Sequence, residues 1–178
     1  MLAGPFDYTP GAMRNKTKAE FKPIDPGLPS GQGTRCHELA MYVIYDQPLG
    51  MLADSPTEYE KAPDIMKYLS AVPTVADETK VIDAKLAEYA VMAKRKGDNW
   101  YVGAMTNWTP RNLKLNFSFL KPGVSYTAQI YTDTKDSNVN ATQYELKTIS
   151  VNSNTTIDLK LSSGGGAAIM IEKSIFKK

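Results

Sequence analysis

The feature that most limits the fold is the run RNLKLNFSFL at residues 111–120. It alternates without a break. Leu113, Leu115 and Phe117 fall on one face, and Lys114, Asn116 and Ser118 on the other. A period of two suits a strand that is dry on one side and wet on the other, and a helix cannot use it. SYTAQIYTD, TQYELKTISV, TTIDLKLS and AAIMIEK follow at short spacing, between clusters of Asp, Asn, Gly and Pro. Upstream, KVIDAKLAEYAVMAKRKG and NWYVGAMTNW read as a hairpin turned at Gly97-Asp98, with Val91, Ala93, Tyr101 and Gly103 alternating with their neighbours. Seven or eight strands of this kind predict an antiparallel β-sandwich over residues 73–178. Gly164-Gly165-Gly166 reads as a turn and not a phosphate loop, because no helix follows it.

Residues 1–72 have a different grammar. Met1–Ala3 is a short apolar run that stops at Gly4-Pro5. A loop rich in Lys, Pro and Gly fills residues 12–33. A helix is expected from Thr34, its N-cap, to Asp46, with Cys36, Leu39, Ala40, Val43 and Ile44 on one face and Pro48 and Gly50 as its stop. GMLADSP is expected to be a second short strand ending at Asp54. Ser55, Pro56 and Glu58 form a helix-start signal with a capping box, and Pro63 divides the helix that runs to about Ser70. Strand, loop, helix, strand, helix is the order of a parallel α/β sheet.

Composition excludes several classes. The chain has 178 residues, 42% hydrophobic and 22% charged, which is ordinary for a globular protein. Net charge is +2, so nothing points to nucleic acid; the one basic cluster, Lys94-Arg95-Lys96, is expected to be a solvated strand end. Cys36 is the sole cysteine, so no intrachain disulfide can form. No stretch reads as a membrane span, and Met1 does not open a signal peptide.

MLAGPFDYTPGAMRN, GTRCHELAMYVIYDQPLGMLADSPTEYE, VPTVADETKVID and EYAVMAKRKGDNWYVGAMTNW, in that order, resemble the C-terminal part of glycoside hydrolase family 97. The resemblance covers nearly the whole chain. It implies a mixed fold: residues 1–72 as the last two βα units of a (β/α)8 barrel, left incomplete, and residues 73–178 as an antiparallel β-sandwich. It implies that Met1 lies inside a barrel strand of a longer bacterial protein, periplasmic or otherwise exported. That protein would hydrolyse α-glucosides or α-galactosides with calcium as cofactor. Its partners would be a glycoside or oligosaccharide substrate, the N-terminal remainder of the protein and a possible homo-oligomer, with no nucleic acid and no membrane span.

Barrel sites lie at the C-terminal ends of the strands. On this resemblance two such ends are present, at Gly4–Tyr8 and Ala53–Ser55. Asp7, Tyr8 and Asp54 are therefore the substrate-lining candidates, by hydrogen bonding or by stacking on a sugar. The plain alternatives are a turn acid for Asp7 and a helix start for Asp54. No catalytic or metal-binding residue is assigned: the paired carboxylates of glycoside hydrolysis and the calcium glutamates are expected upstream. Glu38 and Asp46 fall on an outer helix. Cys36 and His37 point about 100° apart on a helix and cannot pair, so His37 is expected at a surface or helix end. Trp100, Tyr101 and Trp108 read as core before they read as a sugar platform. Two βα units cannot close a barrel, so this part is expected to leave apolar helix faces uncovered. The fragment is expected to be inactive alone. The alternative is a stand-alone sandwich module for carbohydrate binding or subunit association.

Overall fold

A computed structural model describes residues 4–23 and 30–174. Eight strands build the sandwich: β3 (Glu78–Lys85), β4 (Tyr89–Lys96), β5 (Asn99–Thr106), β6 (Arg111–Asn116), β7 (Tyr126–Asp133), β8 (Tyr144–Val151), β9 (Thr156–Leu161) and β10 (Gly166–Lys173). Six of them form one antiparallel sheet in the order β3-β4-β5-β10-β7-β8, and β6 pairs with β9 as a separate ribbon. The expected hairpin is β4–β5, turned at Gly97, and a further hairpin joins β3 to β4.

The alternation of β6 appears as written. Leu113, Leu115 and Phe117 are buried against the large sheet, while Asn112, Lys114 and Asn116 face water. Opposite them stand Val91, Ala93, Trp100, Val102, Ala104, Ile130, Ile169 and Ile171. This inter-sheet core is almost purely aliphatic and aromatic carbon.

The other face of the large sheet is covered by helices α1 (Arg35–Ile44), α2 (Pro56–Glu60) and α3 (Pro63–Ala71). Thr34 caps α1 as expected, its hydroxyl accepting from the His37 amide at 3.2 Å. Cys36, Leu39 and Val43 of α1 and Ile65 and Tyr68 of α3 meet Tyr101, Tyr131, Ala168 and Met170 of the sheet. The expectation of uncovered helix faces is thus corrected in part: the sandwich covers the inner faces of α1 and α3, while Pro56, Pro63 and Met66 line an open apolar groove. Two glycines let α1 lie directly on the strands. A Cβ on Gly103 would sit 2.7 Å from the Ala40 carbonyl, and one on Gly166 would sit 2.7 Å from the His37 Cα. The central strands β5 and β10 are dry on both faces, so Ala167–Ile171 reads as an unbroken apolar run.

The N-terminal part departs from its expected grammar. The strand expected at Met1–Ala3 lies outside the described residues. The loop expected over 12–33 carries a short parallel pair, β1 (Asn15–Lys16) with β2 (Gly31–Gln32). Residues 50–54 are not a regular strand. They run beside residues 8–10 through two bonds, Met51 N–H to the Tyr8 carbonyl at 3.4 Å and Ala53 N–H to the Pro10 carbonyl at 3.1 Å. Two bonds at this spacing are the parallel pattern, cut short before a ladder forms. The capping box also stays open. Ser55 is the N-cap and Pro56 opens α2, but Ser55 makes no side-chain cap bond, and Glu58 turns to Lys61 and Arg14. No described helix is long and apolar enough to cross a membrane.

Candidate functional site

The segment 5–16 has little regular structure of its own, yet it is held from several sides. Glu38 is buried, and its carboxylate accepts from the amides of Gly11 at 2.8 Å and Ala12 at 3.4 Å. Burial raises its pKa, and the two amide donors offset part of that rise. Tyr42, one turn further on, points its hydroxyl at the carbonyls of Pro10, 2.8 Å away, and Met51, 2.9 Å away. Tyr59 donates to the Gly11 carbonyl at 2.8 Å and accepts from the Asp54 amide at 3.1 Å. Burial pushes both phenols above their usual range, so both stay protonated donors.

Asp54 completes the clamp. It accepts from the Met13 amide at 3.0 Å, from the Ser55 amide at 2.9 Å and from the Arg14 guanidinium at 2.7 Å. Burial alone would raise its pKa, but the Ser55 and Met13 amides and Arg14 together outweigh it and hold the carboxyl below its usual value. Arg14 also reaches Glu58 at 2.9 Å. Arg35 bonds Asn15 Oδ1 at 3.1 Å and the Met13 carbonyl. With Leu52, Pro56, Tyr59, Pro63 and Met66, Asp54 also lines an open apolar groove of about 700 Å³.

Asp7 and Tyr8 stand at the start of this clamped segment. Asp7 is exposed. Tyr8 stacks on Tyr45 with ring centroids 4.3 Å apart and meets Phe6 edge-on at 5.2 Å. Phe6 is fixed in turn by its amide, 3.0 Å from the Asp46 carbonyl. The three substrate-lining candidates therefore differ: Asp7 is exposed, Tyr8 is half-buried between Phe6 and Tyr45, and Asp54 has both oxygens engaged by the fold.

Several side chains have roles that differ from the sequence reading. Glu38 is not an outer-helix acid but the buried anchor of the 10–12 segment, and Asp46 lies just past the end of α1. A Glu–Tyr pair one helical turn apart, Glu38 and Tyr42, was the available signal. His37 sits in the first turn of α1, as a helix-end residue, but it is half-buried; its Nδ1 lies 3.1 Å from the Gly165 carbonyl, and burial lowers its pKa. Cys36 is fully buried, which raises its thiol pKa and makes it a packing residue. Lys94 is no solvated strand end: it is buried and donates to the Tyr45 carbonyl at 2.7 Å. Arg95 and Lys96 pair with Glu78 and Asp77. Trp100 and Tyr101 are core, on opposite faces of β5. Trp108 is partly exposed and packs on Gly164, with the Lys18 ammonium 5.6 Å from its ring.

Sequence pattern alone does not reveal the buried acid of the sandwich, Asp133. One of its oxygens accepts from the amides of Ser162 at 2.9 Å and Gly166 at 3.0 Å, beside Thr34 and Cys36 of α1. Burial pushes its pKa up to about 6, against the lowering effect of those neighbours. Among the described residues, no three His, Cys, Asp or Glu side chains come together as a metal site.

Residues 75–172 match the family model described as glycosyl-hydrolase 97 C-terminal, oligomerisation. The chain belongs to glycoside hydrolase family 97. It is 39% identical over 171 residues to a retaining alpha-galactosidase of Bacteroides thetaiotaomicron, a match covering 96% of this chain and 26% of that protein. It is 30% identical over 102 residues to a probable retaining alpha-galactosidase of Streptomyces bingchenggensis, covering 57% of this chain and 14% of that protein. Among solved structures it is similar to a family 97 enzyme of Pseudoalteromonas sp. strain K8 in complex with acarbose. There the TM-score is 0.86 at 27% identity, over 97% of this chain and 27% of that one. The chain thus spans about a quarter of the length of the relatives that it matches end to end.

Proposed function

We propose that this chain is the C-terminal part of a larger retaining glycoside hydrolase acting on α-galactosides. The observation that carries this reading is the 39% identity to a retaining alpha-galactosidase across 96% of the chain. On this reading the catalytic carboxylates and the calcium ligands lie in the preceding region, and the whole protein is exported. Residues 4–72 form the closing end of its barrel. The parallel-spaced bonds between residues 8–10 and 51–53 support that placement, since neighbouring barrel strands pair in parallel. Asp7 and Tyr8 then face the sugar, and Asp54, Glu38, Tyr42 and Tyr59 act through the segment they hold. The sandwich supports the barrel wall and serves assembly, in keeping with the family description.

Two assays test this. The chain alone should not cleave nitrophenyl α-galactosides or α-glucosides, with or without calcium; turnover abolished by Asp7→Ala would overturn the division of labour. The protein carrying the preceding region should prefer the galactoside, and Asp7→Ala in it should lower kcat/KM while leaving the fold intact. A preference for the glucoside would refute the substrate assignment.

A further inference from the structure

We infer that β8 is the surface through which two copies of this chain pair, edge to edge and antiparallel, about a two-fold axis at Leu146. The inference rests on the assembly role proposed above and names where that assembly occurs. The large sheet has two outer edges, β3 and β8. They are not equivalent. β3 is broken by a bulge between Val81 and Asp83, a device by which sheets refuse an added strand. β8 has neither a bulge nor a proline. Its register with β7 is continuous from Tyr144 opposite Asp133 to Val151 opposite Tyr126. Among the described residues, nothing hydrogen-bonds to its outward backbone row. An uninterrupted edge with unpaired N–H and C=O groups is a template for another strand.

The side chains specify which strand. Placing Leu146 opposite Leu146 of the second copy sets Glu145 against Lys147 of that copy, and Lys147 against its Glu145. Tyr144 then faces Thr148. Residues of like parity meet, so both copies keep the same sheet face. Within one copy Glu145 and Lys147 already lie side by side, with Oε2 and Nζ 2.8 Å apart. The axis would bring two such pairs together as a square of alternating charge. Leu146 is 39% exposed and supplies the apolar contact at the centre. A contact that is its own complement closes at the dimer. All of β8 lies inside the span matched by the oligomerisation model, residues 75–172.

Charge reversal tests both the surface and the symmetry. Sedimentation equilibrium of the chain should show a dimer. Glu145→Lys alone and Lys147→Glu alone should each weaken it by about tenfold, because like charges then stand opposite each other twice. The double variant Glu145→Lys/Lys147→Glu should recover wild-type association. An equimolar mixture of the two single variants should form a heterodimer tighter than either homodimer. Leu146→Cys should give a disulfide-linked dimer under mild oxidation, because opposed residues of an antiparallel pair bring their Cα atoms within disulfide range. Cys36 is fully buried, so the wild-type chain should give none. A dimer indifferent to all of these changes would overturn the β8 surface and leave the assembly role standing. A chain that stays monomeric at every concentration would overturn both.

Discussion

The molecule has two cores on the two faces of one sheet, and they are built differently. Between the sheet and the β6–β9 ribbon the core is carbon: Leu113, Leu115, Phe117, Ile130, Leu159, Ile169. Between the sheet and the helices it is rich in tyrosine, and the hydroxyls find named partners. Tyr131 donates to the Asp64 carbonyl at 2.8 Å, Tyr144 to the Asp64 carboxylate at 2.8 Å, and Tyr59 to Gly11. Apolar contact is non-directional and aims no atom at a particular partner. A ring with a bonded hydroxyl is fixed at both ends. The first core makes the sandwich; the second sets where the helices, and the segment they clamp, must stand.

Breaking the carbon core should have the largest effect. Phe117 is fully buried, so Phe117→Ala should cost about 3–5 kcal/mol in urea unfolding. Helices and sheet should then unfold together in this chain, because among the described residues it is the sheet that covers the helices. A helical signal that outlasts the sheet would show that the two cores are independent.

Next in size is the pH dependence carried by Asp133 at the seam between α1 and the sheet. Its folded pKa is about 6, above the unfolded value of a carboxyl. The folded state therefore holds the proton more tightly. This contribution is fully present below about pH 4 and is lost as pH rises through 6. Glu38 is raised in the same direction. Unfolding free energies from urea titrations at either end of that window should differ by something on the order of 3 kcal/mol from Asp133. Asp133→Asn should flatten the difference; an unchanged slope would remove Asp133 as its source.

The smallest effect sharpens the comparison. Tyr131→Phe keeps the ring and deletes one bond, so it should cost about 1 kcal/mol. Hydrogen exchange should quicken in α3 and not in β6 or β9. Uniform quickening would argue that the tyrosine contacts hold the whole molecule and not only the helical layer.

How much of this was legible in the sequence follows from the same contrast. β6 could be read letter by letter because one of its faces is wet. β5 and β10 could be placed as strands, but nothing in their apolar runs named the second layer that dries their outer face. The apolar run at 50–54 suggested a strand; among the described residues its backbone-to-backbone bonds go only to the segment 8–10, and two bonds do not make a ladder. In the site, Asp7 and Tyr8 entered only through the family resemblance, which makes Gly4–Tyr8 the end of a barrel strand. The grip of Glu38 on Gly11 and Ala12 could not be read at all, because it joins residues far apart in sequence through a polar contact that periodicity does not count.

The dry outer face of β5 and β10 has a practical consequence for anyone dissecting the protein. Trimming the chain to the span of the family model, residues 75–172, keeps every strand of the sandwich but removes the helices. Tyr101, Tyr131, Ala168 and Met170 would then meet water as one contiguous greasy plate. Such a piece would be expected to precipitate, or to recruit a substitute lid from whatever shares the tube. The boundary that sequence families draw at residue 75 and the boundary that solubility draws are different lines.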